Sequence, residues 1–191
     1  MPNKLFLRYP QLKSIFVIIF SVLFLDQITK VLARVYLEPV HSVSVIGNFF
    51  RLTYVENPGI AFGIRIDNKV FFTILSIVAV VVIFYYLFSL RERKGISYAF
   101  ATILGGAFGN LIDRFFYGRV VDFMDFEFFN IHIPPFKFLF FNFSGYSMDR
   151  WPVFNVADMA VSLGMIMVIA IAVFDNDEQK ETSTDVVPEQ D

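Results

Sequence analysis

Four apolar stretches, each about as long as a membrane-crossing helix, constrain the fold of this chain more than any other feature. They cover roughly residues 14–35, 70–90, 95–114 and 153–174. A helix needs about 20 mostly apolar residues to cross the hydrocarbon core of a bilayer. The composition agrees, because 56% of the residues are hydrophobic and 26 are phenylalanine, more than a soluble domain of this length needs. We therefore predict an all-α membrane protein with four transmembrane helices in a single domain, residues 1–174.

Basic residues beside the spans predict their orientation. One group precedes the first span and another fills the turn between spans two and three: Lys4, Arg8 and Lys13, then Arg91, Arg93 and Lys94. The positive-inside rule assigns both groups to the cytoplasm. Both termini then face the cytoplasm, and residues 37–69 and 117–152 form the outer loops. The polar, acidic residues 175–191 are predicted to be a disordered cytoplasmic tail.

The two outer loops have different sequence patterns. In the first, β-rich stretches at 43–46 and 49–55 flank a Gly-Asn turn, which predicts a small extracytoplasmic sheet. The second is dense in aromatic residues over 123–151, and Pro134-Pro135 prevents a continuous helix. Such a segment is typical of the membrane interface. We predict that this loop lies in the membrane interface and covers a functional site at this face of the membrane.

Several classes of function are disfavoured by composition. A net charge of -2 gives no broad basic surface, so nucleic-acid binding is not expected. The chain has no cysteine, which excludes a disulfide framework, a thiolate nucleophile and a cysteine-based metal site. Its two histidines, His41 and His132, lie in separate loops without ligand spacing. We predict neither a metal nor another cofactor.

Two aspartates, Asp122 and Asp158, lie beside the outer ends of hydrophobic segments. A carboxylate at membrane depth is costly to keep and usually marks function. Asp158 would lie only about 8 Å inside a helix that starts near residue 153, which is shallow enough to meet a carboxylate from the preceding loop. Two adjacent carboxylates share a proton, so one can activate water while the other protonates a leaving group. The pair predicts acid/base hydrolysis at a membrane surface.

Each aspartate also has an ordinary structural interpretation. Asp158 can be a helix N-terminal carboxylate that the helix dipole stabilises, and Asp122 can be a solvated loop charge. Three other carboxylates of the second outer loop, Asp125, Glu127 and Asp149, are interpreted as solvated.

Other polar residues form three smaller groups. Asp26 and Lys30 lie four residues apart on one helical face, and a structural ion pair is favoured over direct catalysis. The turn-forming segment 56–63 is equally compatible with a plain turn and with ligand binding. In the third span, Gly105 and Gly109 predict close helix packing. Near its outer end are three polar residues, of which the last two can form an interfacial salt bridge: Asn110, Asp113 and Arg114.

At these residues the chain resembles the lipoprotein signal peptidase family, also called signal peptidase II. The resemblance rests on five blocks in the family's order, and the four-span pattern covers nearly the whole chain. The blocks are Asp26-Gln27-Ile28-Thr29-Lys30, residues 56–63, residues 105–114, Val120-Val121-Asp122-Phe123 and Phe154-Asn155-Val156-Ala157-Asp158.

The resemblance implies an aspartic endopeptidase of the bacterial cytoplasmic (inner) membrane with its active site at the outer face. Its expected substrate is a prolipoprotein that carries a diacylglyceryl cysteine, cut just before that cysteine. Membrane lipids and globomycin-type inhibitors are further expected partners, and the chain is expected to be a monomer. Asp122 and Asp158 match the catalytic pair. The remaining motif positions are assigned to substrate or inhibitor binding or its support (Asn57, Gly59, Asn110, Arg114 and Asn155) or to structural polar roles (Asp26, Lys30 and Asp113).

One stretch departs from the family pattern, and two other mechanisms stay open. The segment 123–154 is longer and richer in phenylalanine than the short connector the family leads one to expect. A proton-coupled carrier or channel could use Asp26, Lys30 and Asp158 as a relay, although the carboxylates gather at one boundary. A serine-lysine peptidase could use Lys30 as its base, but no serine partner lies near it in sequence.

Overall fold

Four long helices form the membrane-spanning part of the protein. The computed structural model describes residues 11–59, 69–128, 131–139 and 141–184. Within these residues, four helices are long and apolar enough to cross a membrane, which confirms the predicted number of spans. The helices are α1 (Gln11–Leu32, followed by a π-helical turn, Ala33–Leu37), α2 (Lys69–Ser89), α3 (Lys94–Tyr117) and α4 (Val156–Thr184).

The last helix differs from the prediction at both ends. It begins at Val156 rather than near residue 153, because Pro152 and Asn155 precede it in non-helical conformations. It then continues to Thr184, so the prediction of disorder is wrong for residues 175–184. That stretch contains glutamate, glutamine and lysine, which favour helices, and extending an existing helix requires no new nucleation. Residues 185–191 lie outside the described part of the chain.

The segments that follow α1 and α3 form a three-stranded antiparallel sheet. Its strands are β1 (Ser42–Ile46), β2 (Phe50–Asn57) and β3 (Val120–Phe126), in the order β1-β2-β3. β1 and β2 confirm the predicted pair, and Gly47 adopts a φ of 50° in the turn between them. β3 was not predicted. It places Asp122 opposite Val55 in a ladder, where the sequence interpretation had a loop.

The aromatic segment between β3 and α4 contains a long β-ribbon. Its strands are β4 (Ile131–Ile133), β5 (Phe136–Phe138), β6 (Phe141–Phe143) and β7 (Tyr146–Met148). β5 pairs with β6 and β4 pairs with β7, so one hairpin continues the other. Pro134-Pro135 lies between β4 and β5, where a residue without an N–H interrupts the ladder. We call residues 131–148 the inserted hairpin.

The described residues group into two compact units. The helical unit takes its residues from Met1–Asp26, Ile74–Ile112 and Val156–Asp191, and the sheet unit from Gln27–Thr73 and Asp113–Asn155. Buried apolar side chains of α1, α2 and α3 form the core of the helical unit: Ile15, Val80, Leu87, Ala101 and Leu104.

Glycines of α3 allow close helix packing in the helical unit. A Cβ at Gly105 would lie 2.8 Å from Cβ of Val22 on α1, and one at Gly106 would collide with the carbonyl oxygen of Ala157 on α4. A Cβ at Gly109 would meet the Asp26 carboxylate. The small-residue spacing therefore serves close approach of helices, as predicted.

Candidate active site

Asp122 is buried in the sheet unit and held by two amide side chains. Only 2% of Asp122 is exposed, because it lies inside β3 between the paired strand β2 and the chain at Asn155. Asn57 Nδ2 donates to Asp122 Oδ2 at 3.1 Å, and Asn155 Nδ2 donates to Asp122 Oδ1 at 2.6 Å. Neutral donors orient a carboxylate without neutralising its charge. Asp122 is therefore a fixed, buried carboxylate and not a solvated loop charge.

The backbone beside Asp122 is fixed on its outer edge. β3 is an edge strand, so its N–H and C=O groups on that side need other partners. Asp113 Oδ2 accepts the Val121 N–H at 3.2 Å, and the Val121 carbonyl oxygen accepts from Asn155 Nδ2 at 3.3 Å. Both side chains come from outside the sheet. They set the position of the strand that carries Asp122.

Asp113 itself is an ionic centre of the sheet unit. Lys30 Nζ lies 3.1 Å from Asp113 Oδ2, and Arg34 Nη2 lies 3.3 Å from Oδ1. Lys30 and Asp113 are both fully buried. The sequence interpretation paired Asp113 with Arg114 and Lys30 with Asp26, and it missed the Lys30–Asp113 pair because α1 and α3 are far apart in the chain. This contact supports the structural role predicted for Lys30 and Asp113.

The turn after β2 is organised by Asn57. Its Oδ1 accepts the Gly59 N–H at 2.9 Å while its Nδ2 holds Asp122, so one amide joins the turn to the carboxylate. Gly59 has a φ of 116°, and a Cβ there would collide with the ring of Phe72. Only glycine suits this position. The rest of the predicted turn motif, residues 60–63, lies outside the described residues.

Tyr54, Glu56 and Arg119 form a hydrogen-bonded group beside the same turn. The Tyr54 hydroxyl donates to Glu56 Oε1 at 3.2 Å, and Arg119 Nη1 donates to Glu56 Oε2 at 2.9 Å. Burial, followed by the negative charges of Glu56 and Glu38, raises the pKa of Tyr54 to about 12. Tyr54 therefore remains a phenol that can donate a hydrogen bond at neutral pH.

Asp158 lies in the helical unit, in the first turn of α4. Asn110 Nδ2 on α3 donates to Asp158 Oδ1 at 2.8 Å. Nearby, Asp26 is fully buried and its Oδ1 accepts the Ala157 N–H at 2.9 Å. That N–H belongs to the first turn of the helix, where donors lack intrahelical partners. Asp26 thus fixes the start of α4, a contact that the sequence argument did not anticipate.

Asp125 of β3 and Glu127, just after the strand, belong to a separate arginine cluster. Arg150 Nε lies 2.6 Å from Asp125 Oδ1, and Arg150 Nη1 lies 2.8 Å from Glu127 Oε2. Thr53 Oγ1 also donates to Asp125 Oδ2 at 2.8 Å. The interpretation of Asp125 as solvated is wrong, because 6% of it is exposed. Asp149, in contrast, is exposed as expected.

Arg114, the last of the predicted binding residues, is placed by the end of α3. Arg114 lies in the last turn of α3, and its carbonyl oxygen accepts the Gly118 N–H at 3.0 Å.

Across the described parts of the chain, no three histidine, cysteine, aspartate or glutamate side chains gather as a metal site requires. A cofactor-free site stays a prediction.

Comparisons with known proteins agree with this geometry. The family model described as signal peptidase (SPase) II matches residues 18–174. A lipoprotein signal peptidase from Caldanaerobacter subterraneus subsp. tengcongensis is 43% identical over 158 residues, covering 83% of this chain and 94% of the relative. One from Pelodictyon phaeoclathratiforme is 36% identical over 160 residues, covering 83% and 89%. A bacterial membrane enzyme solved by the in meso method at 2.3 Å resolution superimposes with a TM-score of 0.68 at 27% identity, covering 94% of each chain.

The four span-length helices and the family match together define a multi-pass membrane peptidase of the aspartic class. The chain belongs to the signal peptidase II family, and its activity is the removal of signal peptides from prolipoproteins.

Proposed function

We propose that Asp122 and Asp158 are the two catalytic carboxylates. The supporting observation is the kind of partner each carboxylate has. Amide side chains hold Asp122 and Asp158, whereas cationic side chains hold Asp113, Asp125 and Glu127. Amide donors fix the geometry of a carboxylate and are themselves neutral, which suits a carboxylate that exchanges protons.

Chain connectivity favours the meeting of the two carboxylates. Asn155 donates to Asp122, and Asp158 follows three residues later in the first turn of α4. Only two residues separate Asn155 from Asp158 in the chain, and we propose on this ground that the two carboxyl groups act together. Asn57 and Asn155 on one side, and Asn110 on the other, are the groups that would hold the two carboxyls in register.

The proposed reaction is general acid/base hydrolysis of one peptide bond. The ionised carboxylate accepts a proton from water, whose oxygen then attacks the scissile carbonyl carbon. The protonated carboxyl supplies a proton to the carbonyl oxygen, which gives a tetrahedral gem-diol. The carboxyl that took the proton from water then protonates the amide nitrogen, the C–N bond breaks, and the gem-diol returns a proton to the other carboxylate as the product acid forms. Gly59 packs its backbone against the Phe72 ring in the turn after β2, and we assign Gly59 and Arg114 to substrate or inhibitor binding.

Contacts of Lys30 argue against the serine-lysine alternative. Its ammonium group forms a buried ion pair with Asp113, at 3.1 Å. A lysine that acts as a base must be available in its neutral form. An ion-paired lysine that supports the Asp122 strand through Asp113 serves the aspartic mechanism as a positioning residue.

The substrate preference and the membrane side belong to the same proposal. We assign cleavage to prolipoproteins with a diacylglyceryl cysteine, at the bond just before that cysteine, on the outer face of the bacterial inner membrane. Basic residues near the first span and in the turn between α2 and α3 support cytoplasmic termini. We also expect the chain to act as a monomer among membrane lipids and to bind globomycin-type inhibitors.

Paired substrates test this assignment. Purified protein is incubated with a precursor that carries the diacylglyceryl cysteine and with the same precursor lacking the lipid, and cleavage is followed by gel shift. The lipidated precursor should be cut and the other left intact, with globomycin suppressing cleavage. Equal cleavage of both precursors would show that the enzyme does not recognise the lipid, and the assignment as a peptidase would still hold.

A further inference from the structure

The tip of the inserted hairpin is amphipathic. Phe136 pairs with Phe143, and the next pair towards the turn is Lys137 with Asn142. Because successive pairs along a hairpin point to opposite faces, the register gives the tip an aromatic face and a polar face. The rings of Phe136 and Phe143 lie 5.0 Å apart, and Phe136 remains 52% exposed. A hairpin that served only to fold would bury such a face against a core.

Leu139, at the turn of the hairpin, has an unusual conformation for its residue type. Its φ is 53°, in the left-handed region that asparagine, aspartate or glycine occupies at lower energy. Its side chain is 83% exposed. A strained, apolar and fully presented residue at a turn indicates a role outside the fold of the hairpin itself.

The base of the hairpin is tied firmly to the sheet unit. Arg150, after the hairpin, is bonded to Asp125 and Glu127, before it, and Arg150 Nη1 donates to the Asn48 carbonyl oxygen at 2.9 Å. The Trp151 N–H donates to the Phe126 carbonyl oxygen at 2.9 Å. The segments that precede and follow the hairpin are thus hydrogen-bonded to each other, so the base of the hairpin is fixed.

The position of the hairpin in the chain defines what can meet its tip. It lies between the spans α3 and α4, so the chain leaves the bilayer before the hairpin and returns to the bilayer after it. The residues from Ile131 to Leu139 can reach about 25–30 Å at about 3.3 Å per residue. The extended apolar phase within that reach is the lipid bilayer.

We infer that the inserted hairpin is an outer-leaflet lipid contact, with Leu139 and the aromatic face of the tip in the interface and Lys137 and Asn142 facing the headgroups and water. Aromatic rings favour this layer, and the Lys137 ammonium complements lipid phosphates. Apolar faces of this kind enter to about 5–10 Å. This surface is additional to the peptidase activity and does not depend on the assignment of the catalytic pair.

Single fluorescent labels test the contact directly. Because the chain has no cysteine, Leu139→Cys and Asn142→Cys each carry one thiol for an environment-sensitive dye. The full-length proteins are reconstituted in nanodiscs of phosphatidylethanolamine and phosphatidylglycerol, with or without a lipid that carries a nitroxide near the headgroup. Iodide is the quencher from water. Ile169→Cys, on the exposed surface of α4, sets the signal of a lipid-facing site.

The expected result is a contrast between the two faces of one hairpin. The nitroxide lipid should quench the label at residue 139 at least about twofold more than the label at residue 142, and iodide should give the reverse order. Equal quenching at both positions, or iodide quenching that is stronger at residue 139, overturns the inference. A label at residue 139 that is shielded from both quenchers also overturns it, since the tip would then cover protein.

Discussion

Replacing Lys30 by methionine tests the ionic support beneath the proposed catalytic strand. The substitution keeps the length of the side chain and leaves the buried carboxylate of Asp113 without its ammonium partner at 3.1 Å. Removing one member of a buried ion pair costs about 3–5 kcal/mol. Arg34, 3.3 Å from Asp113 and 21% exposed, retains part of the interaction. We expect the lower end, about 3 kcal/mol, or roughly 150-fold in the unfolding equilibrium.

The single tryptophan of the chain provides the assay. Trp151 lies in the sheet unit, so its fluorescence during denaturant titration in micelles reports unfolding of the unit that contains Lys30 and Asp113. Lys94→Met is the matched control, because Lys94 is exposed at the start of α3. That control should change the free energy of unfolding by less than about 0.5 kcal/mol.

A double-mutant cycle separates the ion pair from general damage. Once Asp113→Asn has removed the charge at residue 113, Lys30→Met no longer leaves that carboxylate uncompensated, so the double variant should be at least about 1 kcal/mol more stable than the sum of the single losses predicts. Combining Lys30→Met with Asp149→Asn, at an exposed site, should be additive. Additive losses for Lys30 and Asp113 would refute the coupling deduced from their contact.

Three further substitutions have outcomes that the structure fixes. Gly106→Ala should lower the melting temperature more than Gly95→Ala, because the new Cβ meets a backbone oxygen of Ala157 at the first site and the flexible end of Ile171 at the second; overpacking costs about 1–3 kcal/mol, and equal shifts would contradict the packing. Arg150→Gln should speed amide hydrogen exchange in residues 131–148, whereas Lys137→Gln should not; unchanged exchange would show that Arg150 does not hold the base. The pKa of Tyr54 is raised from 10 to about 12 in the folded protein, so its contribution to stability is complete below pH 10 and is lost as pH rises towards 12. Tyr54→Phe should therefore reduce the alkaline loss of stability measured through Trp151, and an identical loss in both proteins would exclude the effect.

The spans and the first hairpin could be predicted because their signals are local. An uninterrupted apolar run is sufficient for a transmembrane helix, and a Gly-Asn turn between β-rich stretches is sufficient for β1 and β2. The pairing of Asp122 with Asp158, and the assignment of Asn155 to the same site, came from short motifs that resemble those of the family. These features depend on residues that are close together in the chain, so they can be predicted from a single sequence.

β3 and the ionic contacts around it depend on distant residues instead. Val120-Val121-Asp122-Phe123 is buried on both faces, so it lacks the alternation that identifies a half-buried strand. Its partner β2 precedes it by about 65 residues, as the Asn57–Asp122 separation shows. Asp125 was read as solvated because Arg150 follows only after the inserted hairpin. The sequence shows where the carboxylates are, but it does not show which distant side chains pair with them.

The catalytic assignment is tested most directly by the chemical step in single-turnover reactions. Asp122→Asn and Asp158→Asn each remove one ionisable group at nearly constant shape, and Asp149→Asn makes the same change at an exposed position. Lipidated precursor is mixed with excess enzyme, and cleavage is timed by gel shift for protein that retains the Trp151 unfolding transition. We predict no detectable cleavage by either of the first two variants and a normal rate for Asp149→Asn. A normal rate for a folded Asp122→Asn or Asp158→Asn protein would contradict the aspartic pair.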